Sequence, residues 1–328
     1  MIKFMLVAAS LLATHVVFAQ QDSTLKEDLQ SVKSTPSRWS SFYQHQFRVL
    51  KNEDASLTSD MVPKTLNLRT HLMAVQYRIE NDWNFEAGIQ YLDMDINLLG
   101  NNLDINAGSR GLSDLEVGMV KEIKEDTIKS KFRIAMSLPT GSIRQKDSAT
   151  VNMGPGGPQK VERILPYQGQ LGSGTYDLQL EYDQSNYFLP MVYWRNKFKL
   201  EKRNGRNDLG YRLGDEAKII SEVNFPIISK YVTGMVGGTY KTWSQVVGPN
   251  PVLEEVKANM PFPIELEDLY AKPGERFETY YALKTGMPIG TVGFASLELG
   301  RPIQSNVTGN STELKTDWYG YLNIAAEL

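Results

Sequence analysis

Apolar and polar side chains alternate with a period of two along most of this chain, the pattern of half-buried strands. The clearest run puts Trp83, Phe85, Ala87, Ile89 and Tyr91 on one face and Asn84, Glu86, Gly88 and Gln90 on the other. Leu115, Val117, Met119 and Ile123 oppose Asp114, Glu116, Gly118 and Glu122, with Val120 and Lys121 breaking the pattern. Phe132, Ile134, Met136 and Leu138 oppose Lys131, Arg133 and Ser137. Tyr176, Leu178, Leu180 and Tyr182 oppose Asp177, Gln179, Glu181 and Asp183. Unpaired carboxylates are costly in a dry core between two sheets. The polar faces therefore belong on a wet surface, either solvent or the lumen of a barrel.

The alternation predicts about twelve strands, at 40–50, 66–80, 83–97, 111–124, 128–138, 174–184, 187–199, 209–225, 230–243, 275–286, 291–301 and 317–328. The connections carry the stronger signal. Tight turns are expected at Asn81-Asp82, 125–127, 184–186, 226–229 and 287–290. Longer segments lie at 51–65, 98–110, 139–173, 200–208, 244–274 and 302–316, with Gly154-Pro155-Gly156-Gly157-Pro158 breaking the longest. Long and short alternate without exception, as in an outer-membrane barrel with long external loops and short periplasmic turns. The fold class expected is thus all-β, an antiparallel transmembrane β-barrel of about twelve strands. Aromatics stand at both strand ends: Trp83, Tyr187, Phe188, Phe225 and Tyr231 beside short turns, and Tyr91, Tyr176, Tyr211, Trp243, Phe277 and Trp318 beside long loops. Two interfacial girdles have this form.

The beginning of the chain changes the picture next. Lys3 precedes a short apolar run, Met5 to Ala13, which ends on Val17-Phe18-Ala19 before polar Gln20. This is the layout of a secretory signal peptide, and the run is too short for a membrane helix. The expected organisation is a signal peptide at 1–19, a periplasmic lead-in at 20–38 and a β-barrel at 39–328. The chain has no cysteine, which excludes a lipoprotein anchor and a disulfide framework. Its net charge of −3 gives no reason to expect nucleic acid. Aromatics at 10% and 26 glycines suit a β-rich fold.

Three motifs resemble a known family. Gly111-Leu112-Ser113-Asp114-Leu115-Glu116-Val117-Gly118 is similar to a strand opening GLGDL-x-x-G. Ser137-Leu138-Pro139-Thr140-Gly141 is similar to a strand ending in LPTG, and Leu171-Gly172-Ser173-Gly174-Thr175-Tyr176-Asp177-Leu178 to LGTG-x-x-D-L. In that order, over about residues 108–182, they resemble the outer-membrane β-barrel transporters of the meta-pathway phenol-degradation family. The resemblance implies passage of a small, often hydrophobic or aromatic, solute. It also implies residence in the outer membrane of a Gram-negative bacterium, with outer-membrane lipid and the barrel-assembly machinery as partners. Leu328 departs from the aromatic last residue common in such barrels.

Candidate chemistry is sparse. Once His15 leaves with the signal peptide, His45 and His71 remain, on different strands and beside no serine nucleophile. No metal, no cofactor and no enzymatic activity are expected. Asp93, Asp95 and Asp104 lack the glycine turn and closing glutamate of a dedicated calcium loop and read as a solvated acidic loop. Function belongs in the lumen, for which the expected lining is Glu86, Gln90, Asp114, Glu116, Arg133, Asp177, Gln179, Glu181, Arg212 and Lys284. The leading reading is a barrel that transports or binds a small solute. The alternatives are a structural or accessory barrel of an envelope complex and a secreted soluble β-sandwich that binds a ligand.

Overall fold

The computed structural model describes the chain except residues 1–37, 52–61, 80–81, 101–102, 153–157, 166, 190, 229–231, 252–253, 255–271, 290–292, 309–314 and 328. The expected signal peptide, nearly all of the lead-in, Tyr231 and Leu328 lie outside the described residues.

Fifteen strands are present among the described residues. They are β1 (Trp39–Lys51), β2 (Val62–Arg78), β3 (Trp83–Gly100), β4 (Leu103–Leu112), β5 (Leu115–Lys124), β6 (Ile128–Leu138), β7 (Lys146–Asn152), β8 (Pro158–Ile164), β9 (Tyr176–Leu189), β10 (Val192–Asn204), β11 (Glu216–Ile228), β12 (Val232–Trp243), β13 (Gly274–Ile289), β14 (Gly293–Thr308) and β15 (Lys315–Glu327). β4 and β5 act as one strand with a break at Ser113-Asp114: β3 pairs with β4 through Tyr91–Gly100 and with β5 through Trp83–Gly88. Counted so, twelve antiparallel strands form a single ring. The ring closes where β1 pairs with β15, from Ser40 opposite Glu327 to Lys51 opposite Lys315. Every wall strand but β4 is paired on both sides, and β4 pairs with β3 alone; closure is the way a sheet satisfies its backbone polar groups in lipid. A β-sandwich is therefore excluded. β7 and β8 form a separate hairpin within the longest loop.

The alternation sorts side chains between the two surfaces as expected. Phe132, Ile134, Met136, Leu178, Tyr182, Leu283 and Leu299 are exposed on the outside, whereas Asp177, Gln179, Glu181 and Asp183 are buried within. Val120 and Lys121 break the apolar-out pattern as expected, although the strand itself runs through them unbroken. Val120 is fully buried on the inner face, and Lys121 lies outside with its ammonium over the Trp83 ring. Lys121 can do this because it stands next to a short turn, where a long cationic stem reaches the edge of an apolar band.

Four local expectations are corrected. β9 continues to Leu189 and β10 begins at Val192, so 184–186 is strand and not a tight turn; Met191 takes the left-handed conformation, with φ 68°. Residues 98–100 and 103–110 belong to strands β3 and β4 rather than to a loop, and pair with each other across the hairpin. Residues 209–215 are loop, and β11 starts at Glu216. Tyr211 consequently belongs to no girdle; it is almost completely buried.

The phase inversion on β3 divides the barrel by height. Over Trp83–Tyr91 the apolar residues point outward. From Leu92 onward the sense reverses: Met94 is buried on the inner face, and Asp93 and Asp95 stand outside. These aspartates are thus on a strand and not in a solvated loop. Asp93 accepts a 2.7 Å hydrogen bond from Arg110 Nε on β4 and lies 3.6 Å from Arg69 on β2. A strand needs only about 9–11 residues to cross a bilayer. β3 has 18, so its upper half rises above the apolar band as a crown.

Candidate functional site

The inner wall is a network of paired charges set by strand register. Arg133 on β6 lies opposite Glu181 on β9, and β5 on its other side carries Glu116. Its guanidinium donates to Gln179 Oε1 at 2.9 Å, to Glu116 Oε2 at 2.9 Å and to Glu86. Gln179 donates in turn to Glu116 Oε1 at 3.0 Å, and Gln76 to Glu86 Oε2 at 3.1 Å. On β10 every second residue from Tyr193 to Arg203 faces inward. Arg195 bridges Asp183 and Glu222, Lys197 meets Glu181 at 2.8 Å, Lys199 meets Glu201 at 3.2 Å, and Arg203 pairs with Asp177 and Glu201. A charge withdrawn from water is tolerated only when it is paired and hydrogen-bonded, and these are. The remaining wall is more aromatic. Tyr280 donates to Glu222 Oε2 at 3.0 Å and packs edge-on against Tyr319, with Met235 and Ala282 beside it.

Above the wall the loops gather into a buried knot centred on Asp114. Its carboxylate accepts hydrogen bonds from the Gly141 amide at 2.8 Å, the Ser173 amide at 2.7 Å and the Ser173 hydroxyl at 2.9 Å. Thr140 Oγ1 accepts from the Leu115 amide at 2.8 Å and fixes the same loop to the head of β5. The backbones approach very closely here. A Cβ on Gly172 would lie 2.9 Å from the Gly141 Cα and would run into the Asp114 carboxylate, so neither glycine can carry a side chain without moving the knot. Asn207 Nδ2 donates to the Ser173 carbonyl at 3.0 Å, and Tyr211 packs against Tyr167 at a tilt, with ring centroids 4.8 Å apart. Leu165 and Leu171 are buried with them. Arg212 donates to the Arg203 carbonyl at 3.0 Å and pairs backbone to backbone with Val247. Burial raises the proton affinity of Asp114 despite the amides of Ser173 and Gly141, which act in the opposite direction. Burial likewise pushes the Tyr211 phenol up to about 12.

Of the ten residues expected to line the lumen, eight are on the inner wall: Glu86, Gln90, Glu116, Arg133, Asp177, Gln179, Glu181 and Lys284. Asp114 and Arg212 are corrected to the mouth, because the chain leaves the sheet at both positions. Sequence reading missed Arg195, Lys197, Lys199 and Arg203 on β10, although Trp194, Phe198 and Leu200 between them mark the outer face clearly. It also missed Lys218 on β11, where Ile219 and Ile220 in succession blur the period. His45 and His71 pair directly across β1 and β2 with ring centroids 4.5 Å apart, and Tyr43 shares a 2.8 Å hydrogen bond with His71. Register puts both on the outer face, away from the lumen. Among the described residues no group of three or more histidine, aspartate or glutamate side chains stands where it would hold a metal.

No family model matches the chain, and neither does any curated protein. Among solved structures, an outer membrane channel from Pseudomonas putida F1 is similar with a TM-score of 0.56 at 10% identity, covering 94% of this chain and 99% of that one. The translocator domain of the autotransporter NalP from Neisseria meningitidis follows at a TM-score of 0.48 and 9% identity, covering 93% of each chain. The NanC porin stands at 0.41 and 8%, covering 88% of this chain and 100% of that one. The first likeness shows the fold alone, and the other two are too loose to carry an argument.

Proposed function

We propose that this chain is exported by its first 19 residues and works in the outer membrane of a Gram-negative bacterium. There it binds or passes a small solute through the lumen. The observation that carries this reading is the closed ring of twelve strands with aliphatic side chains outside and a paired charge network inside. An apolar band of that kind costs nothing in lipid and is hard to explain in water, where so large a patch would drive association. The charged wall favours a polar solute over the hydrophobic or aromatic one that the motif resemblance implies. That resemblance is itself supported by a physical role for its motifs: Asp114, Gly141 and Ser173, one from each, meet at one carboxylate. No catalytic step enters this reading; outer-membrane lipid and the barrel-assembly machinery are its partners.

The knot at the mouth favours a second reading, a closed barrel that serves as a structural or accessory part of an envelope complex. Membrane fractionation, heat-modifiable migration on gels and liposome swelling separate the cases. The channel reading expects a membrane-bound, heat-modifiable protein that admits small polar solutes. A heat-modifiable protein with no flux and a co-purifying complex would favour the scaffold. Recovery in a wash-soluble fraction would remove both.

A further inference from the structure

Four cations stand side by side on the inner wall. Register puts Lys199 on β10 opposite Lys218 on β11, Lys218 opposite Lys241 on β12, and Lys241 opposite Arg276 on β13. Directly opposed like charges destabilise a sheet. The other three cations of the row are each answered by a carboxylate. Lys199 has Glu201, Lys241 has Glu216 at 2.9 Å, and Glu278 interacts with Arg276. Lys218 is different. Among the described residues it makes no ion pair and no hydrogen bond. The strongest charged influences on it are Arg48, Lys197, Lys241 and Lys199, all of them cations. Arg48 reaches it from β1, on the other side of β12, β13, β14 and β15, so the field converges from across the lumen.

We infer that this row is an anion site in the lumen, centred on Lys218, which takes the carboxylate or phosphate group of a small solute. A lysine ammonium presents three rotatable donors and a compact charge, which suits an oxyanion in varied orientations. Uncompensated positive charge at a low-dielectric wall concentrates anions there and excludes cations. The bound group supplies the negative charge that the protein withholds from Lys218. This deepens the channel reading: selectivity rests on that reading, whereas binding does not.

Reversal potentials of the full-length protein in planar bilayers under a KCl gradient test the selectivity. Anion selectivity is expected, and Lys218→Met should lower the anion-to-cation permeability ratio about three- to tenfold. Removing an unpaired cation should leave the heat-modifiable folded band intact; if Lys218→Met lacks that band, Lys218→Gln takes its place. A conducting protein that prefers cations, or whose ratio is unchanged in the variant, overturns the inference and leaves the channel reading standing. If wild type does not conduct, the channel reading fails, and binding decides the inference. Succinate or phosphate should then raise the unfolding temperature of wild type in detergent and not that of the variant. Equal shifts in both, or none in either, overturn it. Whichever of the two acts at lower concentration identifies the group as carboxylate or phosphate.

Discussion

The two halves of β3 obey the same rule with opposite sign. From Trp83 to Tyr91 apolar side chains face out and Glu86 faces in; from Leu92 the buried Met94 faces in and Asp93 and Asp95 face out. β2 accompanies the strand along its length, while its other neighbour changes from β5 below to β4 above. What also changes is the medium that each face meets. In the lower half the outside is the apolar phase and the lumen carries the charge. In the upper half the outside is wet, as the exposed Arg110 beside Asp93 and Asp95 shows, and the inner face is buried at Met94, Ala107 and Ser109. β7 packs on β4 there, and the Gly108 amide donates to Asp147 Oδ2 at 2.6 Å. The point of inversion is therefore a depth marker, readable from one strand.

The contrast breaks most sharply with one substitution in the lower half. Ala87 faces outward between Val75 and Val117, in the middle of the apolar run. Ala87→Arg should destabilise the barrel in lipid vesicles by about 2–4 kcal/mol in a urea titration. A cost near zero would mean that the band does not face lipid.

The upper half depends on the knot and should fail there without losing the wall. Asp114→Ala removes the acceptor of three hydrogen bonds, worth about 1.5–3 kcal/mol locally. Hydrogen exchange should rise at residues 139–145 and 170–175 while β9 and β10 stay protected. Gly172→Ala should produce the same pattern by steric displacement.

Alkali offers a gentler probe. The Tyr211 phenol titrates near 12 in the folded knot against an ordinary value of 10.0, so the folded state holds the proton more tightly. Its contribution is complete below pH 10 and is lost as pH rises toward 12, at up to about 1.4 kcal/mol per pH unit. Loop proteolysis should therefore accelerate over that interval in wild type and much less steeply in Tyr211→Phe.

The smallest effect belongs to Asp95→Arg, on the same strand and the same face as Ala87. Its pair with Arg110 is 3.5 Å long and about half exposed, so the change should cost less than about 1 kcal/mol in the same urea titration. Equal costs at Ala87 and Asp95 would erase the depth boundary.

Much of the wall was legible from Trp83–Tyr91, Tyr176–Asp183 and their like, because inside and outside alternate residue by residue within a single strand. A turn is not legible at its true place because Gln184-Ser185-Asn186 has turn-forming residues, which cross-strand pairing to β6 and β10 holds extended. Residues 209–215 were misread as strand because Tyr211 has the side chain of an interfacial residue, and only its burial against Tyr167 shows that it belongs to the mouth.

The sequence by itself determined the number of wall strands and, along most of them, the face that each residue presents. These follow from a period of two, which is a property of neighbouring residues. Tertiary structure alone decided which residues meet across that ring. Asp114 finds Gly141 and Ser173 only after β5, β6 and β9 are paired, and Lys199, Lys218, Lys241 and Arg276 become a row only through the register of four strands. Register depends on contacts between residues far apart in the chain, which no local pattern encodes.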